Sequence, residues 1–362
     1  MIRVSFFMEQ HVGHRTFYNT LREYIGRDIR IKAKWTEITY TDPQSNWGKI
    51  PYLTDNLRGT LIGRQQVRRS LLAHESDIAF FSTQVPAVLS GSVLEYCPYV
   101  LCTDITPIQY DTMGNYYNHR PDKNGVIGAY KYRANTKVFN KAAHIVPWSN
   151  WTKHSLLNDY GVAPSKITVV PVGVDVELWK PKEVRSDKPV RFLFVGGDFY
   201  RKGGDLLLKA FRQLPAELAE LTLVTRENIP EEENIRTYHN LQPNSPELIA
   251  LFQESDVFVL PSRAEAYGIV TIEAGATGLP IIMTDIGSAR ELVGENQNGF
   301  LIEVGNVQQL YDRMCCMIEN PGLRRNMGQN ARQRVEQYFN AQKNVAQIAD
   351  ILLEVATKQR TR

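Results

Sequence analysis

The chain has 362 residues, 43% hydrophobic and 22% charged. That is the composition of a globular protein with a large core and about two domains. The net charge of +3 is too small to point to a nucleic-acid partner. It is unevenly placed, at +6 in residues 1–180 and −3 in the remainder. Cys97, Cys102, Cys315 and Cys316 form no C-x-x-C pair, which argues against a disulfide framework or a zinc site and fits a reducing compartment.

MIRVSFFMEQHVGH opens the chain as a first strand and not as a signal peptide. No apolar run reaches the ~18 residues needed to span a bilayer. Further strands are expected at WTEITY, DIAFFST, YVLCTD, HIVPWS and ITVVPV. Helices are expected at HRTFYNTLREYI, RQQVRRSLLAH and TKHSLLNDYG. In the second of these, Arg64, Arg68 and Arg69 form a basic cluster. It reads either as a solvated helix face or as an edge that attracts anionic lipid or a phosphate-bearing substrate.

Near residue 180 the text changes. WKPKEVRSDKPV is polar and proline-punctuated and reads as a linker. Strands then resume at RFLFVG, LTLVT, IRTYHN, DVFVL, PIIMTD and GFLIEV, and NAQKNVAQIADILLEVA closes the chain as a helix. Strands alternating with helices imply parallel sheets covered on both faces. The expected fold class is therefore α/β, with two doubly wound Rossmann-like domains facing across a cleft. The expected boundaries are 1–178 and 179–340, with a helix at 341–362 returning to the first domain.

Ligands of such sheets sit beyond the carboxyl ends of the strands. After RFLFVG comes GDFYRKGGDLLLKAF, with Arg201 and Lys202 in the loop before a helix expected near Gly204. Glycines, helix amides and two cations suit a diphosphate, and equally describe a tight turn with two solvated bases. It is neither GxxxxGK[ST] nor GxGxxG, so a dinucleotide dehydrogenase is not indicated. After DVFVL, the stretch EAYGIVTIE carries Glu265 and Glu273 around a helix expected to start near Gly268. The amides of Gly268, Ile269 and Val270 open that helix and can receive a phosphate. Glu273 lies on the face of Ile269, roughly 6 Å along the axis, and points back toward the helix start. There it can accept from vicinal hydroxyls, and Glu265 can accept from hydroxyls on the other side. The alternative is a solvated loop glutamate and a helix glutamate near a positive dipole end.

EAYGIVTIEAGATGLPII resembles the E-x7-E segment of GT-B glycosyltransferases of family 4, also called group 1. FVGGDFYRKGGDLLLKAF resembles that family's nucleotide-diphosphate loop, VPVGVDVELWKP its interdomain crossover, and DIGSARELVGENQNGFLIEVGN the strand and loop that follow. The match is specific over roughly 140–340, and residues before 140 match in outline. The resemblance implies that Glu273 binds the donor ribose and Glu265 the hydroxyls of the transferred sugar. It implies that the amides of Ala266, Tyr267, Gly268, Ile269 and Val270 meet sugar and diphosphate. Lys202 and Arg201 would neutralise the leaving diphosphate, and Gly13, in the loop after the first strand, would let the first domain close on the donor. Two departures stand out. Many members carry arginine where this chain has Gly197, so Arg201 is expected to supply that charge. Several carry histidine where this chain has Asp104, which either accepts a sugar hydroxyl or caps the next turn. Tyr238 and Asn240 are expected at the base pocket or in packing, and His11, His14 and His119 are expected to be structural or solvated.

The resemblance further implies transfer with retention of anomeric configuration and without a metal, since no acidic DxD pair is placed to hold one. The expected donor is a UDP-hexose, UDP-glucose before GDP-mannose. The expected acceptor is a glycan or a lipid-linked glycan in polysaccharide synthesis, with no nucleic acid involved. A cytoplasmic protein is expected, with peripheral contact at the inner membrane face through the basic first half. A sugar-nucleotide epimerase of the same fold and a non-catalytic sugar-nucleotide sensor are the alternatives.

Overall fold

The apolar runs form two all-parallel sheets, seen in a computed structural model that describes residues 1–10, 12–42, 55–73, 75–117, 119–121, 125–182, 189–230 and 232–360. By contacts the chain divides into two units. The first comprises Met1–Thr112, Arg120–Pro171 and Gln342–Arg362, and the second Met113–His119 and Val172–Ala341.

The first unit runs β1 (Ile2–Glu9), α1 (Val12–Gly26), β2 (Ile31–Ile38), α2 (Asp55–Ala73), β3 (Ile78–Phe81), α3 (Gln84–Ser90), β4 (Tyr99–Thr103), α4 (Pro107–Thr112), α5 (Val126–Lys141), β5 (His144–Pro147) and α6 (Asn150–Asn158). Its sheet has the order β2-β1-β3-β4-β5. Strand order therefore reverses between β1 and β3, whose register pairs Val4 with Ile78 and Phe7 with Phe81. Every residue of β3 and β4 is buried, as continuous apolar strands in a parallel sheet must be. Phe7 stacks on Phe81 at 4.8 Å in the core.

The second unit runs β6 (Val190–Val195), α7 (Gly204–Phe211), β7 (Ala219–Val224), β8 (Ile235–Tyr238), α8 (Pro246–Glu254), β9 (Val257–Leu260), α9 (Ile269–Ala276), β10 (Ile281–Thr284), α10 (Ala289–Leu292), β11 (Gly299–Ile302), α11 (Val307–Glu319) and α12 (Pro321–Tyr338). Its sheet has the order β11-β10-β9-β6-β7-β8, the doubly wound arrangement whose order reverses between β6 and β9. α13 (Ala341–Arg360) ends the described chain, and all but its first residue belongs to the first unit. Val345, Ile348, Leu352 and Val355 are its buried face, at helical spacing.

Two sequence expectations are corrected here. ITVVPV forms no strand. Ile167 makes a single parallel bridge to Ile145, and the segment follows β5 through the bonds Thr168 N to Ile145 O and Val170 N to Pro147 O. Pro171, which has no N–H, ends the run. The division between units falls after Pro171, ahead of residue 178. Residues from Val172 pack on the second unit: Val172 O accepts from the Tyr267 hydroxyl, and Trp179 is buried edge-on to Phe252 at 5.1 Å. Of the proline-punctuated linker, residues 183–188 lie outside the described residues, as does His11.

Candidate active site

In the second unit the loops after β6 and β9 flank the reversal of strand order, where ligands of doubly wound sheets bind. A tight turn forms the first loop, with Lys202 N bonded to Asp198 O and Gly204 N to Phe199 O. Gly203 adopts φ +77° at the N-cap of α7. A Cβ there would stand 2.0 Å from Pro261 O, so only glycine lets the two loops meet. The loops are also bonded together. Arg263 N donates to Arg201 O at 2.8 Å, and the Arg263 guanidinium holds Asp205 at 2.6 and 2.8 Å. At this junction the Lys202 ammonium donates to the Glu265 carboxylate, with only 14% and 10% of the two side chains exposed.

The Glu265–Tyr267 segment is gripped from its other side by the loop after β10. Gly287, at φ +57°, would drive a Cβ to 2.2 Å from Glu265 O, and Ser288 donates to Ala266 O through both N and Oγ. α9 then starts at Ile269 with Gly268 as its left-handed N-cap. Glu273 follows one turn later, 7% exposed. Among the described residues its carboxylate has no hydrogen-bond partner, and burial pushes its pKa up to about 7.

Arg201 is otherwise engaged. Its guanidinium bonds Asp198 and, at 2.9 Å, Ala264 O, and lies 4.8 Å over the Tyr117 ring. Gly197 faces Arg226, whose Nε would lie 3.4 Å from a Cβ at that position. Arg226, the second residue after β7, is a cation at this place that the sequence reading did not single out. The Tyr267 hydroxyl is committed to Val172 O, leaving its main chain as the part that can face a ligand. Tyr238 lines a small pocket with Arg191, Arg236 and Glu254, which Lys202, Glu265 and Glu273 do not line. Asn240 sits at φ +58° with its carbonyl accepting from Gln242, the conformation of a turn residue. Among the described residues no three His, Cys, Asp or Glu side chains gather as a metal site.

In the first unit the corresponding place also carries polar groups. Glu9 ends β1 at its own reversal of strand order, and its buried carboxylate accepts from the Tyr40 hydroxyl at 2.8 Å and from Thr83 Oγ1 at 2.7 Å. Asp104 follows β4 with Oδ1 3.7 Å from His14 Nε2, and burial raises its pKa. The His14 ring packs 5.2 Å from Trp148, and its Nδ1 is buried without a partner among the described residues. Sequence reasoning gave His14 as structural or solvated and did not single out Glu9, which stands in an apolar strand with nothing local to mark it. Gly13 is corrected: it lies in the first turn of α1, not in a loop, and a Cβ there would meet nothing within 4 Å.

Residues 175–334 match the family model described as Glycosyl transferases group 1, and residues 42–178 match that of Glycosyltransferase Family 4. The chain belongs to the family 4, group 1 glycosyltransferases. Its fold is GT-B. Over 99% of this chain and 100% of the other, it superposes on sucrose-phosphate synthase from Thermosynechococcus elongatus with TM-score 0.79 at 14% identity. The Anabaena protein HepE, solved with UDP-glucose, superposes with TM-score 0.72 at 18% identity, covering 98% of this chain and 100% of that one. The MMP alpha-(1->4)-mannosyltransferase of Mycolicibacterium hassiacum is 29% identical over 222 residues, 58% of this chain and 54% of the relative. The chain spans about half the length of the curated relatives it matches.

Proposed function

We propose that this protein transfers a hexose, with retention of anomeric configuration, from a nucleoside-diphosphate sugar to a glycan or lipid-linked acceptor in polysaccharide synthesis. The observation that carries the reading is Lys202 seated on Glu265 at the reversal of strand order, with the buried Glu273, unpartnered among the described residues, one helical turn into α9. The difficult step is departure of the nucleoside diphosphate, whose negative charge grows as the glycosidic bond breaks. Lys202 and the amides that open α9 meet that charge. Preorganised donors of this kind are worth on the order of 3–4 kcal/mol each in the transition state. Glu265 accepts hydroxyls of the sugar, which also keeps Lys202 in place between turnovers. Glu273 accepts from the two ribose hydroxyls, the partners its buried carboxylate lacks among the described residues. Glu9, Asp104 and His14 in the first unit supply hydroxyl-binding groups for the acceptor. No step requires a metal.

A UDP-hexose is the preferred donor, supported by the likeness to HepE with UDP-glucose. The mannosyltransferase relative makes GDP-mannose the competing donor. A thermal-shift screen of nucleotide sugars tests this. At a hundredfold excess over Kd the right donor stabilises by about 2.7 kcal/mol. A melting temperature that no nucleoside-diphosphate sugar moves would overturn the reading. Epimerised donor formed without any acceptor would assign the same site to epimerisation.

A further inference from the structure

β6 and β7 run parallel, with Val195 paired to Val224 at their carboxyl ends. Continuing that register by two residues on each strand sets Gly197 beside Arg226. The three atoms nearest to a Cβ placed on Gly197 are Nε, Cζ and Cδ of Arg226, at 3.4, 3.7 and 3.8 Å. Gly197 is not left-handed, so its backbone conformation does not demand glycine. What a side chain there would meet is the Arg226 guanidinium and its stem. The preceding glycine has a matching neighbour: a Cβ on Gly196 would lie 3.0 Å from Cβ and from Cγ of Lys202. Lys202 and Arg226 therefore stand beside consecutive glycines at the carboxyl end of β6, where ligands of doubly wound sheets bind.

The other cations of these loops are already balanced. Arg201 pairs with Asp198, Lys202 with Glu265 and Arg263 with Asp205. Each cation is matched by a carboxylate, so the three pairs together carry no net charge. A nucleoside diphosphate brings negative charge on both phosphates, and a balanced set gives it little net attraction. Arg226 is exposed and makes no hydrogen bond or ion pair among the described residues. Its planar fork can take two oxygens of one phosphate, a geometry that adds both strength and direction. Gly197, having no side chain, lets a phosphate approach that fork closely. Lys202 sits on Glu265, at the sugar end of the site, whereas Glu273 lies at the ribose end. The phosphate beside Lys202 and Arg226 is then the distal one, which bears the sugar.

We propose that Arg226 binds the distal, sugar-bearing phosphate of the donor alongside Lys202, in the space that Gly197 leaves to it, and supplies the unbalanced positive charge of the site. The same contact opposes the negative charge that grows on the leaving group. The proposal rests on the reading of this site as one for a nucleoside-diphosphate sugar, and its test separates the two.

Calorimetry with UDP, GDP, UMP and GMP tests it on three chains: the native one, Arg226→Ala, and Arg226→Ala combined with Gly197→Arg. Arg226→Ala is expected to weaken the preferred diphosphate about tenfold or more. The matching monophosphate should lose clearly less, since it lacks the distal phosphate. The loss should shrink in about 1 M salt, where the charge is screened. The double variant brings a guanidinium into the same space from the neighbouring strand and should recover most of the affinity. Turnover should fall about tenfold or more in Arg226→Ala and recover with it. A merely structural role for Arg226 would give no such rescue. Because Arg226 is exposed and Gly197 is not left-handed, both variants should melt close to the native chain. A native chain that binds neither diphosphate overturns the reading of the site and this proposal with it. Native binding that Arg226→Ala leaves unchanged, or a loss equal for diphosphate and monophosphate, overturns the proposal alone.

Discussion

Truncating Lys202 to alanine removes the cation that the two loops after β6 and β9 hold against Glu265. Turnover is expected to fall by about 10²–10³, with less than tenfold change in donor affinity, measured by steady-state kinetics and calorimetry. Glu265 is then left buried without its partner, so the melting temperature should also drop. A variant with unchanged turnover refutes the role given to the ammonium. Glu273 makes a different prediction. Its carboxyl titrates near 7 when folded against 4.5 when unfolded, because burial disfavours the charge. Between those values the folded chain holds a proton that the unfolded chain has released. Stability therefore falls as pH rises through that window and is level above it. Glu273→Gln should stabilise the protein at pH 8 by up to on the order of 3 kcal/mol and make no difference near pH 4, read from thermal melts at both pH values. It should also weaken binding of free nucleoside diphosphate. At this scale the sequence pointed to Glu265 and Glu273 in the second unit, and in the first to Asp104 without Glu9 or His14. Glu265 and Glu273 flank one helix start within nine residues of sequence, so local spacing relates them. Glu9, Asp104 and His14 come together only through the order of strands in a sheet, which no short stretch encodes.

The elements show the same boundary between local and long-range information. Strands of the second unit, such as those in DVFVL and PIIMTD, are mostly apolar, are buried along their whole length, and were readable as buried parallel strands. ITVVPV has the same composition and makes one bridge, because a proline ends its alignment with β5. α5 escaped notice because its apolar residues mark no inward face: Val126, Ile127 and Tyr130 point to solvent. The loop geometry before α7 offers a sharp test. Gly203 and Gly305 both adopt left-handed backbone, at φ +77° and +78°, but a Cβ at Gly305 meets nothing within 4 Å whereas one at Gly203 strikes Pro261 O. Gly305→Ala should cost about 1 kcal/mol, the price of the backbone conformation. Gly203→Ala must also force the loops after β6 and β9 apart, so it should cost clearly more in melts and lower turnover with it. Equal effects of the two would mean that the loops are not held as described.

For the whole molecule, alternation of strands and helices gave two doubly wound sheets, while the exact division between units depended on tertiary packing. Trp179 sits in polar, proline-rich text and yet is 1% exposed against the second unit. Composition cannot reveal that a single tryptophan anchors such a stretch. Removing residues 342–362 should therefore harm the first unit and spare the second. Limited proteolysis of the shortened chain should leave a resistant fragment near residues 172–341, and loss of that fragment along with the rest would count against two separable units. The terminal helix also bears on how the chain matures as it leaves the ribosome. The second unit draws on residues that have all been synthesised by position 341, whereas the first lacks one wall until Val345, Ile348, Leu352 and Val355 emerge. The half made earliest is thus completed last. Through most of its synthesis the nascent chain carries an open apolar seam, and that seam is where a chaperone would be needed.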